Sequence, residues 1–201
     1  MGNFPRHFTQ PLQSMLIEYA TYDSSAIVSN FAREVLLHVY GHLGDLDAAP
    51  DLQRSLALRM LARTEHLGRQ YMKLKLHDSR SRSEGAAVKV AVRSSTLALA
   101  ALVNHECSTE LHLLSRILKP DDPSFSLHTS FFDPLGFVWA LDCCLDVIDA
   151  TPRERDIVFT LWPGVFAKVM KQTYSKYIQV AENWRTGCNS VRQDFVETWA
   201  L

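Results

Sequence analysis

The sequence predicts an all-α fold, six to eight helices packed in a single domain. Two observations carry this. Apolar residues recur at spacings of three and four along most of the chain, while the alternation of a half-buried strand is nearly absent. Helix start and stop signals punctuate those stretches, most clearly Asp133-Pro134 and Thr151-Pro152-Arg153-Glu154. Composition agrees: of 201 residues, 47% are hydrophobic and 21% charged, enough apolar surface to offset the entropy lost on folding.

The first helix is predicted from Ser25 to Leu43, with Ile27, Val28, Phe31, Val35, Leu36 and Val39 on its apolar face. Gly41, Gly44 and the run to Pro50 stop it. Asp51 then caps a stretch with Leu56, Met60, Leu61 and Leu67 on one face, interrupted at Gly68, after which Tyr71, Met72, Leu74 and Leu76 follow. The polar run His77 to Gly85 reads as a solvated loop. Ala86 to Val103 is hydrophobic nearly all round, which predicts the most buried helix, with Val90 and Leu97 in the core. Ser108 to Leu118 is a short helix with Leu111, Leu114 and Leu118 on one face.

Lys119 to Phe132, with Pro120 and Pro123 and no period, is the longest internal loop. Asp133-Pro134 opens the next helix, whose apolar face is Phe137, Val138, Leu141, Leu145 and Ile148. Asp142, Asp146 and Asp149 are read as its solvated side. Thr151 opens a last long helix through Val169 and Tyr174 as far as Trp184, kinked at Pro163-Gly164. Ser190 to Leu201 adds one short helix.

Lys plus Arg number 21 and Asp plus Glu 22, so the chain lacks the basic excess of a nucleic-acid binder. Cys107, Cys143, Cys144 and Cys188 have neither disulfide nor zinc spacing, which points to a reducing, cytoplasmic setting with Cys143 and Cys144 as inert thiols. No apolar run approaches the roughly 20 residues of a membrane span, and the first residues lack a signal-peptide core. Gly2 follows Met1, but Arg6 stands where acylation wants Ser or Thr. His38 and His42 have the spacing of a two-histidine metal face without a third ligand. Glu106 and Glu110 share a face without the repeated Glu-x-x-His of a di-iron bundle. Asp121-Asp122 between prolines is turn chemistry. With no Ser-His-Asp signature, nucleophile elbow or glycine-rich phosphate loop, the reading is a protein that is not an enzyme.

The stretch TPRERDIVFTLWPGVFAKVMKQTY, with Phe159 and Trp162 as paired aromatics and Val165, Val169 and Tyr174 behind them, resembles the last helix of a globin. The preceding DPLGFVWALDCCLDVID is similar to the helix before it, and LALRMLARTEHLGRQYMKLK to the segment leading to the haem-pocket phenylalanine, where Tyr71 stands. The resemblance covers residues 25–178, leaving 1–24 and 179–201 as extensions. It implies a globin-like bundle around a haem pocket. The distal-histidine position then holds Ala86 and Ala87. The proximal position falls on Leu118 if LHLLSRIL is aligned by its leucines, or on His112 if STELH is aligned by its histidine, with His128 a third candidate. His112 is then the iron ligand, and Tyr71, Leu118 and His128 the other haem-pocket candidates.

Two functions follow as expectations. One is a divergent globin that binds haem and a gaseous ligand as carrier or sensor. The other is a haem-free regulatory or scaffold protein working through protein contacts, with Leu118, Ala86 and Ala87 as packed core.

Overall fold

A computed structural model describes residues 12–41, 50–83, 93–119 and 125–185. Among these residues there are nine α-helices, one short 3-10 helix and no strand. They are α1 (Leu12–Tyr22), α2 (Ser24–Gly41), α3 (Pro50–Ala62), α4 (Thr64–Ser83), α5 (Ser94–Glu106), α6 (Ser108–Leu118), the 3-10 helix Leu127–Thr129, α7 (Pro134–Val147), α8 (Pro152–Thr160) and α9 (Pro163–Arg185). The all-α expectation holds, and the count exceeds six to eight because two stretches read as single or absent helices resolve into more.

Contacts between helices run from α2 to α4, α4 to α7, α7 to α5, α5 to α9 and α9 back to α2, a closed circuit. The other helices pack on its outside: α3 on α2, α6 on α9 and α5, and α8 against α3, α5 and α9. Helix α1 closes on α9 and sends Leu12, Met15, Leu16 and Ala20 into the common core, which therefore begins before residue 25. No helix among the described residues is long and apolar enough to cross a membrane.

Several boundaries differ from the periodic reading, each for a local reason. Gly68 does not interrupt a helix; it lies buried within α4. The break falls at Arg63, where the Thr64 hydroxyl donates to the carbonyls of Met60 and Leu61. The polar run from His77 is not loop up to Ser83, because α4 continues through it. The Thr151 helix does not kink at Pro163. It ends at Thr160, and Pro163 opens α9, since the missing N–H and fixed φ that disrupt a helix interior suit its first turn.

Helix α5 is not the most buried. Its core face is Thr96, Leu99, Ala100 and Val103, while Leu97 is 49% exposed. Alanine and serine fill enough of the helix that hydrophobicity alone did not mark its inner side. Val90, Ala86 and Ala87, like the segment Ser190 to Leu201, lie outside the described residues. Helix α7 takes the central role instead, burying Phe137, Val138, Ala140, Leu141, Cys144 and Leu145.

Leu141, Leu145 and Val169 are at most 1% exposed, as the apolar stripes require. Leu141→Ala is expected to destabilise the protein by about 2–5 kcal/mol in denaturant unfolding, the cost of a cavity in a packed core. Leu97→Ala is expected to stay within about 0.5 kcal/mol, as surface substitutions do.

Candidate functional site

The site residues suggested by the resemblance sit in two different environments. Tyr71 of α4 is fully buried. Its hydroxyl donates to the Phe137 carbonyl at 3.0 Å, and its ring lies 6.1 Å from that of Phe137. Burial pushes its phenol well above the ordinary tyrosine range. Leu118 is buried at the end of α6. His112 is exposed on α6, and His128 is exposed on the 3-10 helix. Helix α6 lies against α9 and α5, whereas α4 lies against α2 and α7. The structure therefore brings Tyr71 and Phe137 together and leaves His112 and His128 on the outside.

What surrounds Tyr71 is a buried cluster that holds the start of α7. Lys75, one turn further along α4, is fully buried. Its Nζ donates to the Asp133 carbonyl at 2.8 Å and sits 4.1 Å from the centre of the Phe137 ring. From the other side, the Tyr174 hydroxyl of α9 donates to the Phe132 carbonyl at 2.9 Å. Three carbonyls between residues 132 and 137 are thus each held by a side chain from another helix. Phe137 and Tyr174 meet edge to face at 5.9 Å, and Tyr177 continues the cluster onto Phe132 at 5.8 Å. The Tyr177 hydroxyl is buried with no hydrogen-bond partner among the described residues.

Asp133 and Pro134 stand at the N-cap and first-turn positions, but the Asp133 side chain makes no capping bond. Its backbone carbonyl accepts from Lys75. The resemblance marked Tyr71 as a candidate, but nothing in the sequence reading gave a sign of Lys75, because a lysine inside an apolar stripe reads as a surface residue. Its two neighbours at three or four positions, Tyr71 and Met72, are both buried, and that is the signal that could have found it.

The far end of α7 is held by charge. Asp149 adopts φ 52°, the left-handed conformation that ends a helix, so that the N–H groups of Asp149 and Ala150 return to the carbonyls of Asp146 and Leu145. Arg59 and Arg63 of the α3–α4 corner donate to the next two carbonyls, Ile148 and Val147. The aspartates of α7 are thus not a merely solvated face. Arg155, buried at the start of α8, donates to the Asp142 carboxylate at 2.8 Å and pairs with Asp146, while Asp149 forms the turn.

Thr151 and Glu154 make the capping box that their spacing announces, the Thr151 N–H donating to the Glu154 carboxylate at 2.8 Å. Arg59 pairs with the same carboxylate. Burial alone would raise the Glu154 pKa, but the Thr151 backbone donor and Arg59 together hold it below the ordinary glutamate value.

The remaining candidates resolve individually. Among the described residues no group of three or more His, Cys, Asp and Glu side chains is placed to hold a metal ion. His38 lines a surface groove, and His42 lies outside the described residues, as do Asp121, Asp122 and Cys188. Glu106 ends α5 and Glu110 opens α6, so the turn at Cys107 parts them. Cys107 and Cys144 are buried and Cys143 half-buried, all as free thiols. Burial pushes Cys143 up to about 11 and Cys107 and Cys144 up to about 12, which suppresses the nucleophilic thiolate. The groove, about 490 Å³, runs between α2 and the start of α9, with Leu37 66% and Leu161 41% exposed along it.

Lys75→Met is expected to cost about 1–3 kcal/mol in denaturant unfolding, the penalty of leaving the buried Asp133 carbonyl without its amine donor. The depressed Glu154 pKa means that the folded state binds this proton less readily than the unfolded chain. Its stabilisation is present above the ordinary carboxyl value and is lost as the pH falls through the depressed one. Thermal melts between about pH 5 and pH 2 are expected to show wild type losing stability more steeply than Glu154→Gln.

Compared with protein-family models, with curated proteins and with solved structures, the chain matches none.

Proposed function

We propose that this protein is a haem-free helical module that binds other proteins through its outer surface and performs no catalysis. The observation that carries the reading is the filled interior. Between α4, α7 and α9, the rings of Tyr71, Phe137, Tyr174, Tyr177 and Phe132 contact one another in sequence. A haem would need that space and an axial ligand about 2 Å from iron. His112 and His128 are exposed, Leu118 has no donor atom, and the Tyr71 hydroxyl is spent on the Phe137 carbonyl. The residues present do not fit the group.

The suppressed thiols support binding over covalent chemistry, and their unpaired state suits a reducing compartment. The exposed leucines of the α2–α9 groove suit protein contact, since apolar surface on the outside of a folded chain favours association.

Titration of the full-length protein with haemin tests the reading directly. The expected result is no sharp Soret band, no rise in melting temperature, and identical behaviour of wild type and His112→Ala. A Soret band that His112→Ala abolishes would overturn it in favour of a carrier or sensor of a gaseous ligand.

A further inference from the structure

We propose that the outer face of α4 docks an acidic, helical segment of a partner protein, an inference that rests on the reading of this chain as an interaction module. Arg63 stands in the bend before α4, and His66, Arg69, Lys73 and His77 follow at steps of three, three, four and four. Those steps keep successive side chains on one face of a helix. All five residues are exposed. The line from His66 to His77 spans about 16 Å at the rise of an α-helix.

Several other cations of the chain are matched internally: Arg155 with Asp142, Lys168 with Glu34 and Lys176 with Asp23. Among the described residues, His66, Arg69, Lys73 and His77 make no such pair. Arg63 spends one nitrogen on the Val147 carbonyl, which leaves its positive charge unmatched. Glu65, exposed beside His66, and Asp78, next in sequence to His77, are the carboxylates of the same helix. The whole chain carries a formal charge of −1 with histidine neutral, whereas the fixed charges of this line, Arg63, Arg69 and Lys73, are all positive.

The character of the stripe selects the partner. An anionic membrane would call for apolar side chains to insert between the lipids. The large exposed apolar residues are Tyr22, Leu37, Tyr40, Leu58, Leu97, Leu113 and Leu161, none of them on α4. Single-stranded nucleic acid calls for exposed aromatic rings as stacking platforms, and α4 presents none. A duplex, with its dense phosphate charge, calls for a broad basic surface, and the chain as a whole carries no basic excess. A helix with carboxylates at three- and four-residue spacing presents negative charges along a straight line with the same repeat as the cations of α4.

The test uses two synthetic helical peptides that differ only in carrying glutamate or glutamine at three- and four-residue spacing along one face. Fluorescence anisotropy with the full-length protein is expected to show binding of the glutamate peptide, weakening with added salt, and none of the glutamine peptide. Arg69→Glu combined with Lys73→Glu is expected to weaken binding at least about tenfold. Arg116→Glu, which alters an exposed cation on α6, is expected to leave it unchanged. Thermal melts of each variant verify folding. Equal binding of both peptides, no binding of either, or an unaffected double variant would overturn the proposal. So would capture of phosphatidylserine vesicles or duplex DNA by wild type in preference to the glutamate peptide. The haemin titration is run on the same samples: a Soret band together with charge-dependent peptide binding would reject the haem-free reading and leave the docking face standing.

Discussion

A buried lysine that donates to a backbone carbonyl at the start of α7 is the constraint around which the fold is organised. Taking an ammonium out of water is costly, and placing it near the positive end of a helix dipole adds to the cost. Lys75 is stable there because the Asp133 carbonyl and the face of Phe137 both present negative potential to it. Those two partners exist only if α7 begins where it does. The lysine therefore favours one register of α4 against α7 over its neighbours. The hydroxyls of Tyr71 and Tyr174 reinforce that choice from both sides, each taking a carbonyl that the first turn of α7 places within reach.

The opposite end of α7 is fixed by a different chemistry with the same outcome. The carbonyls of Leu145, Asp146, Val147 and Ile148 would be stranded at the end of the helix, yet all four find donors, two from the turn itself and two from arginines of the α3–α4 corner. Arg59 also reaches Glu154, which closes the capping box of α8. One side chain thus ties the end of one helix to the beginning of the next and both to a third. This explains why a corner of three short connections keeps a defined geometry without a glycine at its left-handed position. Asp149 takes that conformation, which aspartate tolerates better than most residues.

Much of the fold was legible because helix periodicity and capping are local. The capping box at Thr151, the three leucines of α6 and the apolar stripe of α7 stand in the structure as the spacing indicates. The failures share a cause, which is that tertiary partners decide what a local signal means. Pro163 can kink a helix or start one, and the buried Trp162 before it, donating to the buried Gln53 of α3, fixes the second outcome. Leu97 looks as apolar as Leu99, and only the position of α7 separates an exposed leucine from a core one. The candidate site was less legible. Tyr71 was marked, but the Phe137 carbonyl that it bonds and the Asp133 carbonyl that Lys75 bonds lie 66 and 58 residues further along the chain. Backbone carbonyls, moreover, leave no trace in residue identity.

These two anchors bear on the proposed function. A bundle whose central helix is fixed at both ends, with aromatic rings packed edge to face between, resists opening, because close-packed interiors transmit strain instead of yielding to it. To admit a planar cofactor beside Tyr71, the chain would have to withdraw the Phe137 ring, which would also remove the π-face that stabilises the Lys75 ammonium. Losing that face would weaken the amine's hold on Asp133 and with it the start of α7. The cost of making room is therefore coupled through one lysine to the stability of the whole circuit of helices. Surface contacts carry no such cost. The charges along the outside of α4 face solvent and lie on the opposite side of that helix from the buried Tyr71 and Lys75, so α4 can hold the core with one face while the other meets a partner.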